Sequence, residues 1–522
     1  MSVAPSSQSH TSDLANAGVV LDTPYIARYF PGQSPSMMAL SACTNGIPLS
    51  MPNPRFRYLE LGCGNGLGIA TLAASFPRGI FHAVDINPVH IDNGERLKEK
   101  AGLKNLFFHE ADFSEVIGQR DIRPFDHISL HGVYSWVGEP TRRHIRQIIH
   151  ELLKPGGTCN ISYNTLPGWA SFLPLRNLFV QAANRHFGTT AERIQKAYQS
   201  LRTMMENGFD YADAHPDAKA IFDELANKSL NYVAHEFFND HWQPFSFSEV
   251  SNDFSNIGMY YCGNTKLDHN MGREPSSSKL RRYSDRLLSE DLRSIQRLEK
   301  HRSDTYLNCA EPPALEDLAT SLAGLQLGAL ADASAINTYG PRPLDVENTL
   351  IINALQHQTL TLADLKALPA LGGMSMDELA ERIKLLIVQR WVSPFITAQT
   401  FNLPGKASAS AQLQYGHELS KVLLGKTLFR EGHVYLPAPA TGLPIRLGFT
   451  TAVLLRATVE AGEDQAVVTA ERLIAESGKT WVQNGVAVTD QTERLRALSE
   501  ALPHFKSLWL PALIRSGVVH PE

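Results

Sequence analysis

The sequence lacks several features that would place a protein in a special class. Its 522 residues include only five cysteines, which excludes a disulfide-stapled scaffold and is typical of a reducing compartment. It has no run of about 20 apolar residues that could span a bilayer, since the uncharged stretch 318–331 is short and interrupted by polar side chains. The first ten residues lack the basic and apolar segments of a secretory signal. We therefore expect a cytoplasmic protein with no membrane span.

The chain also lacks an excess of basic charge. It contains 48 lysine and arginine residues against 53 aspartate and glutamate residues, so its formal net charge is −5. A protein that coats nucleic acid needs a broad basic surface, and we therefore expect no nucleic-acid partner. Apolar residues make up 43% of the chain and charged residues 19%, which is typical of globular proteins. At roughly 150 residues per domain, the length predicts three or four domains.

Strand-like and helix-like segments alternate in the first third of the chain. The strand-like segments are residues 55–61, 79–85, 105–109, 125–131 and 158–163. Residues 67–76, 88–101 and 141–153 lie between them and have helical spacing. This alternation predicts an α/β fold with a doubly wound, Rossmann-like sheet. Residues 259–262 and 304–309 are predicted to pair as its last two strands, which makes seven.

The remaining segments are assigned by composition and local pattern. We expect a flexible tail at residues 1–20 and one α/β domain at 21–310, with helical insertions at about 171–257 and at 264–301. The second insertion contains a loop at 272–278 and a charged helix at 280–301, which is either solvated or a contact in a homodimer. A linker is expected at 311–342. Residues 343–410 resemble a winged-helix module, and residues 411–522 are expected to form a C-terminal α+β domain.

A glycine-rich turn, LELGCGNG at residues 59–66, follows the first predicted strand. Glycines let the backbone turn sharply and approach a ligand closely. The spacing of Gly62, Gly64 and Gly66 differs from the Gly-x-Gly-x-x-Gly of a turn that binds pyrophosphate. Glu60 would be poorly placed beside a pyrophosphate but well placed near an ammonium or sulfonium group.

Acidic residues follow the next two strands. Asp85 ends the second strand, where an acid accepts hydrogen bonds from ribose hydroxyls. Asp112 follows the third strand and is expected to hold an adenine amino group, although either aspartate alone could instead cap a helix or turn. Together with the glycine turn, the ordered series describes a class I S-adenosylmethionine site. Its predicted residues are Glu60, Gly62, Cys63, Gly64, Gly66, Asp85, Ile86, Asp112, Phe113 and His131, of which Cys63 is interpreted as a small packing residue rather than a nucleophile.

Longer motifs carry a resemblance to a known family. They are HGVYSWV at 131–137, SYNTLPGW at 162–169, YFPGQSP at 29–35 and QPFSFSE at 243–249. With these motifs the chain resembles the bacterial methyltransferases with a regulatory domain, including the protein lysine methyltransferases that modify outer-membrane proteins. The resemblance covers residues 24–310. It implies S-adenosyl-L-methionine as cofactor, a regulatory region at about 171–257, and a protein substrate such as an outer-membrane or surface protein before export.

A lysine acceptor adds a chemical requirement. The ordinary pKa of lysine is about 10.4, so the amine must lose a proton before it attacks a methyl group. Burial in an apolar, aromatic channel lowers that pKa. The expected walls are Tyr134 and Trp136 after the fourth strand and Tyr163 and Trp169 from the end of the fifth, with His131 as a proton relay or carbonyl-side contact. Each of these side chains has an ordinary structural alternative, as a core aromatic or a strand-end hydrogen-bonding residue.

Other interpretations remain open. His235, Glu236 and His241 suggest a metal site, although no compact set of zinc-like ligands accompanies them, and a helical face or a substrate lid is the favoured interpretation. The methyl acceptor is alternatively a small molecule or a carrier-bound metabolite. The chain is alternatively a non-catalytic, cofactor-binding regulator that acts through its winged-helix-like modules. Those modules lack a basic recognition helix, and this favours contact with a protein over contact with DNA.

Overall fold

The fold is built around a seven-stranded sheet, seen in a computed structural model of the chain. The structure describes residues 28–119, 123–239, 241–271, 286–401, 412–483 and 486–522. The strands are β1 (Arg57–Leu61), β2 (Ile80–Asp85), β3 (Leu106–Glu110), β4 (Phe125–Leu130), β5 (Leu153–Asn164), β6 (Met259–Asn264) and β7 (His301–Asn308). Their order is β3-β2-β1-β4-β5-β7-β6, and β7 runs antiparallel to both of its neighbours. The predicted α/β class is confirmed, and the last two predicted strands do pair.

Two hydrophobic cores lie on the two faces of this sheet, because successive side chains of a strand point to opposite faces. In β1, Tyr58 belongs to one core and Leu59 to the other. The first core also contains residues of the helices Leu67–Ser75 and Pro88–Ala101. The second contains residues of the helices Glu139–Leu152 and Phe247–Ser255. Parallel strands are therefore covered on both faces, as doubly wound sheets require.

A group of short helices with its own core is inserted after β5. Its helices are Leu166–Trp169, Leu173–Ala183, Thr190–Glu206, Asp210–Ala214, Pro216–Leu225 and Leu230–Phe237. Its core is rich in aromatic side chains, among them Trp169, Phe179 and Phe237. The second predicted insertion contributes the helix Arg286–Gln296. The predicted tail at 1–20, the predicted loop at 272–278 and the start of the charged helix lie outside the described residues.

The stretch 311–342 was predicted to be a linker, and that prediction is wrong. It contains the helix Leu318–Leu322, the strand β8 (Gln326–Ala329) and the helix Ala333–Tyr339. Strand β8 pairs antiparallel with β9 (Val392–Phe395). The small and apolar residues of this stretch are buried against the helices Val346–Leu355, Leu362–Ala367 and Met376–Val388, so they form part of a folded module. The prediction rested on small residues between two proline-containing segments, 311–313 and 339–343, and such residues also pack closely in a folded core.

The rest of the chain forms a module that packs on the sheet domain. Its strands are β10 (Leu413–Tyr415), β11 (His433–Leu436), β12 (Ile445–Gly448), β13 (Trp481–Gln483), β14 (Val486–Val488) and β15 (Val519–Pro521). Its helices are Glu418–Val422, Leu428–Glu431, Phe449–Ala461, Ala466–Glu476, Gln491–His504 and Leu510–Arg515. The Ser34 hydroxyl donates to the Gly442 carbonyl at 2.5 Å, and the Ala438 amide donates to the Ser75 hydroxyl at 3.2 Å. Across the described ranges, no helix combines the length and apolarity needed to cross a membrane.

A fully buried guanidinium, that of Arg302, connects β7 to the inserted helices. Its nitrogens donate to Asp304 at 2.9 Å, to Glu290 at 3.0 Å and to Glu299 at 3.1 Å. The guanidinium also lies over the ring of Phe247, 4.5 Å from its centroid. Burying a charge is costly unless it is paired and hydrogen-bonded, and here three carboxylates meet that condition.

Arg302→Met tests this network. The substitution leaves buried carboxylates without their counter-charge, so we expect the sheet domain to lose about 3–5 kcal/mol of stability. The matched control is Arg472→Met, which removes an exposed pair with Glu476 on the helix Ala466–Glu476 and is expected to cost at most about 1 kcal/mol. Differential scanning calorimetry measures the melting temperature of each variant. Equal melting temperatures for the two variants would show that the buried network does not stabilise the fold.

Candidate active site

The glycine turn lies at the carboxyl end of β1, between the sheet and the helix Leu67–Ser75. Gly62 and Gly66 have φ angles of 74° and 73°, which L side chains rarely adopt. A Cβ atom on Gly66 would also lie 2.7 Å from the Phe108 ring, and one on Gly62 would lie 2.5 Å from the Val133 side chain. Both positions therefore require glycine, because the left-handed backbone and the packing of Phe108 and Val133 leave no room for a side chain.

Asp85, at the end of β2, fixes the position of that turn. One carboxylate oxygen accepts the Gly64 amide at 2.8 Å. The other accepts the Asn87 amide at 2.9 Å and contacts His90 Nδ1 at 3.1 Å. The predicted residue thus lies beside the glycine turn as expected. Its half-buried neighbour Ile86 begins the connection to the helix Pro88–Ala101.

Glu60 offers a structural test of the predicted cofactor. The residue is buried, and its Oε1 accepts the Gln33 side-chain amide at 2.6 Å. Its Oε2 is also buried and has no hydrogen-bond partner within the described part of the chain. Burial raises the pKa of this carboxyl to about 8. A buried oxygen without a partner fits the ammonium group of an amino-acid moiety, and the residues present therefore fit S-adenosylmethionine.

The remaining predicted cofactor residues lie on the same edge. Asp112 Oδ1 accepts two hydrogen bonds from Ser114, one from the backbone amide at 2.8 Å and one from the hydroxyl at 2.6 Å. Asp112 therefore also shapes a turn. The Phe113 ring reaches to 4.0 Å of the position that a Gly62 Cβ would take. Cys63 is buried, and burial raises the pKa of its thiol well above the ordinary value. This agrees with a packing role, because a thiolate is the nucleophilic form.

A cavity of about 970 Å³ begins at the carboxyl ends of β4 and β5. Its near wall contains His131, Asn164 and, from the start of β7, His301. A second wall comes from the inserted helices and consists of Trp169, Tyr232, His235 and Glu236. The C-terminal modules supply a third wall that includes Tyr339, Arg390, Trp391, Tyr435, Arg446 and Trp509. Three separate parts of the chain thus enclose one space.

His131 lies in the near wall as a neutral imidazole. Its ring stacks on the ring of Phe30, with 3.5 Å between the two ring centroids. The centroid of the His301 ring lies 5.4 Å from the centroid of the His131 ring. Burial, and then the nearby charges of His301, Arg28 and Lys266, lower the pKa of His131 well below the ordinary value. Its Nδ1 is buried and finds no hydrogen-bond partner among the described residues. A neutral ring next to the reacting groups adds no positive charge to the cavity.

Of the four predicted channel aromatics, Trp169 and Trp136 line the cavity, and Trp136 also connects two parts of the chain. Its indole donates to the Glu236 carbonyl at 3.2 Å, so it connects the turn after β4 to the helix Leu230–Phe237. The expectation for Tyr134 and Tyr163 is wrong. The Tyr134 hydroxyl donates to Asp253 at 2.5 Å and the Tyr163 hydroxyl to Asp304 at 2.7 Å. Both rings are fully buried in the sheet core, where an acid accepts the hydrogen bond of each hydroxyl; Asp304 is itself buried, whereas Asp253 is partly exposed.

Several cavity residues were not predicted as site residues. Asn164 belongs to the quoted SYNTLPGW motif, so its position next to the other strand ends was a usable signal. His301 is brought opposite Asn164 by the antiparallel pairing of β5 and β7, and nothing in its local sequence marks it. Glu236 and His235 were interpreted either as metal ligands or, preferably, as part of a helical face or a substrate lid. In the described ranges, no group of three or more His, Cys, Asp or Glu residues could hold a metal ion.

Comparison with known proteins matches two families to this chain. Residues 59–159 match a methyltransferase domain, and residues 229–308 match a predicted methyltransferase regulatory domain. An uncharacterized protein of Synechocystis sp., sll1526, is 26% identical over 513 residues, which cover 96% of this chain and 99% of that protein. The uncharacterized protein RP789 of Rickettsia prowazekii is 28% identical over 40% of this chain and 38% of its own length.

A solved structure has a similar fold over nearly the whole chain. PKMT2 from Rickettsia typhi, in complex with AdoHcy, superposes with a TM-score of 0.67 and covers 95% of this chain and 99% of its own. The sequence identity of 17% restricts this likeness to the fold. The matched methyltransferase domain contains the glycine turn and Asp85. The matched regulatory domain contains Glu236 and β7. The chain is therefore a class I S-adenosylmethionine-dependent methyltransferase with a methyltransferase regulatory domain, and its fold is similar to that of PKMT2 from Rickettsia typhi.

Proposed function

We propose that this methyltransferase modifies the side-chain amines of lysine residues in a protein substrate. The observation that carries the proposal is the cavity that runs from the ends of β4 and β5 to the C-terminal modules. Small-molecule sites usually enclose about 300–1,000 Å³ within one domain or at one junction. The cavity of this protein has a volume at the upper end of that range, and its walls come from three parts of the chain. This arrangement suits a side chain that is presented by a larger molecule. PKMT2, whose fold is similar, carries the abbreviation of a protein lysine methyltransferase.

The glycine turn and the acidic residues at the carboxyl ends of β2 and β3 are assigned to the cofactor. The bound cofactor supplies an activated methyl group on a sulfonium. Glu60 is placed to bind its ammonium group, and the backbone at Gly62, Gly64 and Gly66 allows it to approach closely. Asp85 retains lone pairs for ribose hydroxyls while it holds the turn. Asp112 and Phe113, together with Ile86 and Cys63, are assigned to the adenosine side of the site.

The cavity lining suits an amine that must be neutral when it attacks. Burial lowers the pKa of His131 well below its ordinary value and that of His301 to about 4, so both rings are uncharged at neutral pH. The rings of Trp136 and Trp169 provide apolar surface next to them. Apolar surroundings disfavour the ammonium form of a lysine side chain. Methyl transfer in line with the sulfonium then depends mainly on alignment of the two reactants and exclusion of water.

The cofactor assignment predicts a specific loss of binding in Asp85→Ala. The substitution removes the acceptor of the Gly64 amide and, by the proposal, of ribose hydroxyls, so we expect S-adenosylhomocysteine to bind about 10- to 100-fold more weakly. Isothermal titration calorimetry measures the dissociation constant. Asp92→Ala is the matched control, because Asp92 only pairs with Arg96 on the exposed face of the next helix. Unchanged affinity in Asp85→Ala would remove Asp85 from the cofactor site.

The acceptor assignment predicts where a labelled methyl group is found. The protein is incubated with S-adenosylmethionine labelled in the methyl group and with a bacterial lysate, and the products are separated by size. We expect label in protein bands that survives acid hydrolysis as methyl-lysine, and no such label with Asp85→Ala. Label confined to small molecules would instead support the alternative of a metabolite methyltransferase, and it would refute a protein acceptor.

A further inference from the structure

A single sheltered carboxyl group lies in the wall of the acceptor cavity. Among the described residues that line the cavity, only Glu236 and Asp268 carry a carboxyl group. The Asp268 side chain is 69% exposed, so it is placed at the mouth. Glu236 is half-buried, and its helix Leu230–Phe237 faces the ends of β4 and β5. The cavity therefore holds one acid away from bulk water.

The backbone holds Glu236 next to the carboxyl ends of β4 and β5. Its carbonyl accepts the Trp136 indole at 3.2 Å, which ties it to the turn after β4. Its carboxyl group lies beside the Asn164 side chain at the end of β5. At the other end of the same helix, the Ser229 hydroxyl accepts the Tyr232 amide at 3.2 Å and caps the first turn. The group is thus held at the two strand ends where the acceptor must meet the methyl group.

No basic residue neutralises this carboxyl group within the described part of the chain. Glu290 and Glu299 are also sheltered from water, and both are paired with Arg302. Glu236, in contrast, forms no ion pair with a described arginine, lysine or histidine. Burial raises its pKa from 4.5 to about 7, and the neighbouring Asn164 amide only partly offsets this. An acid left without a counter-charge inside a cavity is most stable when a cationic ligand supplies one.

We propose that Glu236 is the binding site for the ammonium group of the methyl acceptor and the group that takes its proton. This inference rests on the proposed function, since it specifies how the amine is received. The acceptor R–NH₃⁺ enters as the counter-ion of the Glu236 carboxylate and transfers one proton to it, which leaves R–NH₂ and a neutral carboxylic acid. The amine nitrogen then forms a bond to the methyl carbon as the bond from that carbon to sulfur breaks. The product is R–NH₂CH₃⁺, and Glu236 releases its proton to water.

The other titratable groups of the cavity are less suited to this role. Among the described lining residues they are His131, His235, His301, His504, Tyr29, Tyr232, Tyr339, Tyr435, Arg28, Lys266, Arg390, Arg446 and the exposed Asp268. The two strand-end histidines have strongly lowered pKa values, so they are weak bases. Burial raises the pKa of Tyr232 to about 12, and its phenol is therefore neutral near pH 7. A proton acceptor works best when its pKa lies near the working pH, and Glu236 meets that condition.

Two analogues of S-adenosylhomocysteine test the ammonium site directly. In both, a nitrogen atom replaces the sulfur; one analogue carries a 2-ammonioethyl group there and the other a propyl group of similar size. Calorimetry with the full chain measures both dissociation constants. We expect the wild-type protein to bind the ammonium analogue at least about tenfold more tightly, and Glu236→Gln to abolish that preference while binding the propyl analogue normally. Glu224→Gln, which removes a surface partner of Lys228 on a neighbouring helix, should keep the preference.

Each outcome of this experiment decides one point. Equal preference in wild type and Glu236→Gln, or no preference in wild type, overturns the assignment of Glu236. A preference that depends on Glu236, in a protein that produces no methyl-lysine, keeps the amine site and refutes only the protein-lysine acceptor. Where methyl-lysine does form, Glu236→Gln should also lose the rise of kcat/KM with pH near 7, because that rise reports ionisation of this carboxyl group. Glu236→Asp should restore part of it.

Discussion

The pairing of Arg302 with three buried carboxylates is the constraint on which the catalytic half of the molecule depends. Strand β7 carries Arg302 and Asp304, while Glu290 and Glu299 come from the preceding helix and its connection to the strand. Asp304 in turn accepts the Tyr163 hydroxyl of β5. None of these charges could remain buried alone, so the inserted segment and the end of the sheet must assemble together. That assembly sets the distance between the regulatory region and the strand ends.

The reversed direction of β7 is what completes the cavity. Strands β1 to β5 end at the same edge, where a ligand binds in an open α/β sheet. Because β7 runs the other way, its first residue rather than its last lies at that edge, and His301 pairs with Asn164 in the sheet register. The helices inserted after β5 start from the same edge, and the hydrogen bond from the Trp136 indole to the Glu236 carbonyl holds Glu236 there. The C-terminal modules then enclose a space that the sheet alone would leave open.

The features predicted correctly from the sequence are those encoded over short distances. The alternation of elements was enough to predict the α/β sheet. The glycine turn and Asp85 do lie together at the strand ends, while their role in cofactor binding stays a prediction. Tyr134 and Tyr163 were assigned wrongly because their partners, Asp253 and Asp304, are more than a hundred residues away. The stretch 311–342 was taken for a linker because its partner strand β9 also lies far along the chain. Glu236 was recognised as chemically interesting, but its meaning depends on a neighbourhood that only the fold creates.

The distribution of buried charge separates structure from chemistry in this molecule. Where a carboxyl group serves the fold, as at Glu299, arginine and histidine partners lower its pKa to about 2 and it stays ionised. Glu60 and Glu236 are the carboxyl groups assigned by the proposals to the cofactor and to the methyl acceptor. The described chain supplies no cation to either, and burial raises the pKa of Glu60 to about 8 and that of Glu236 to about 7. A cationic ligand reverses such a shift, because an opposite charge favours the ionised form. By the proposed assignments, binding of the cofactor's ammonium group and of the acceptor amine is therefore coupled to loss of protons from these two groups. The carboxylates that serve the fold have fixed cationic partners in the Arg302 network, whereas Glu60 and Glu236 are left, in this proposal, to pair with the charges of the ligands.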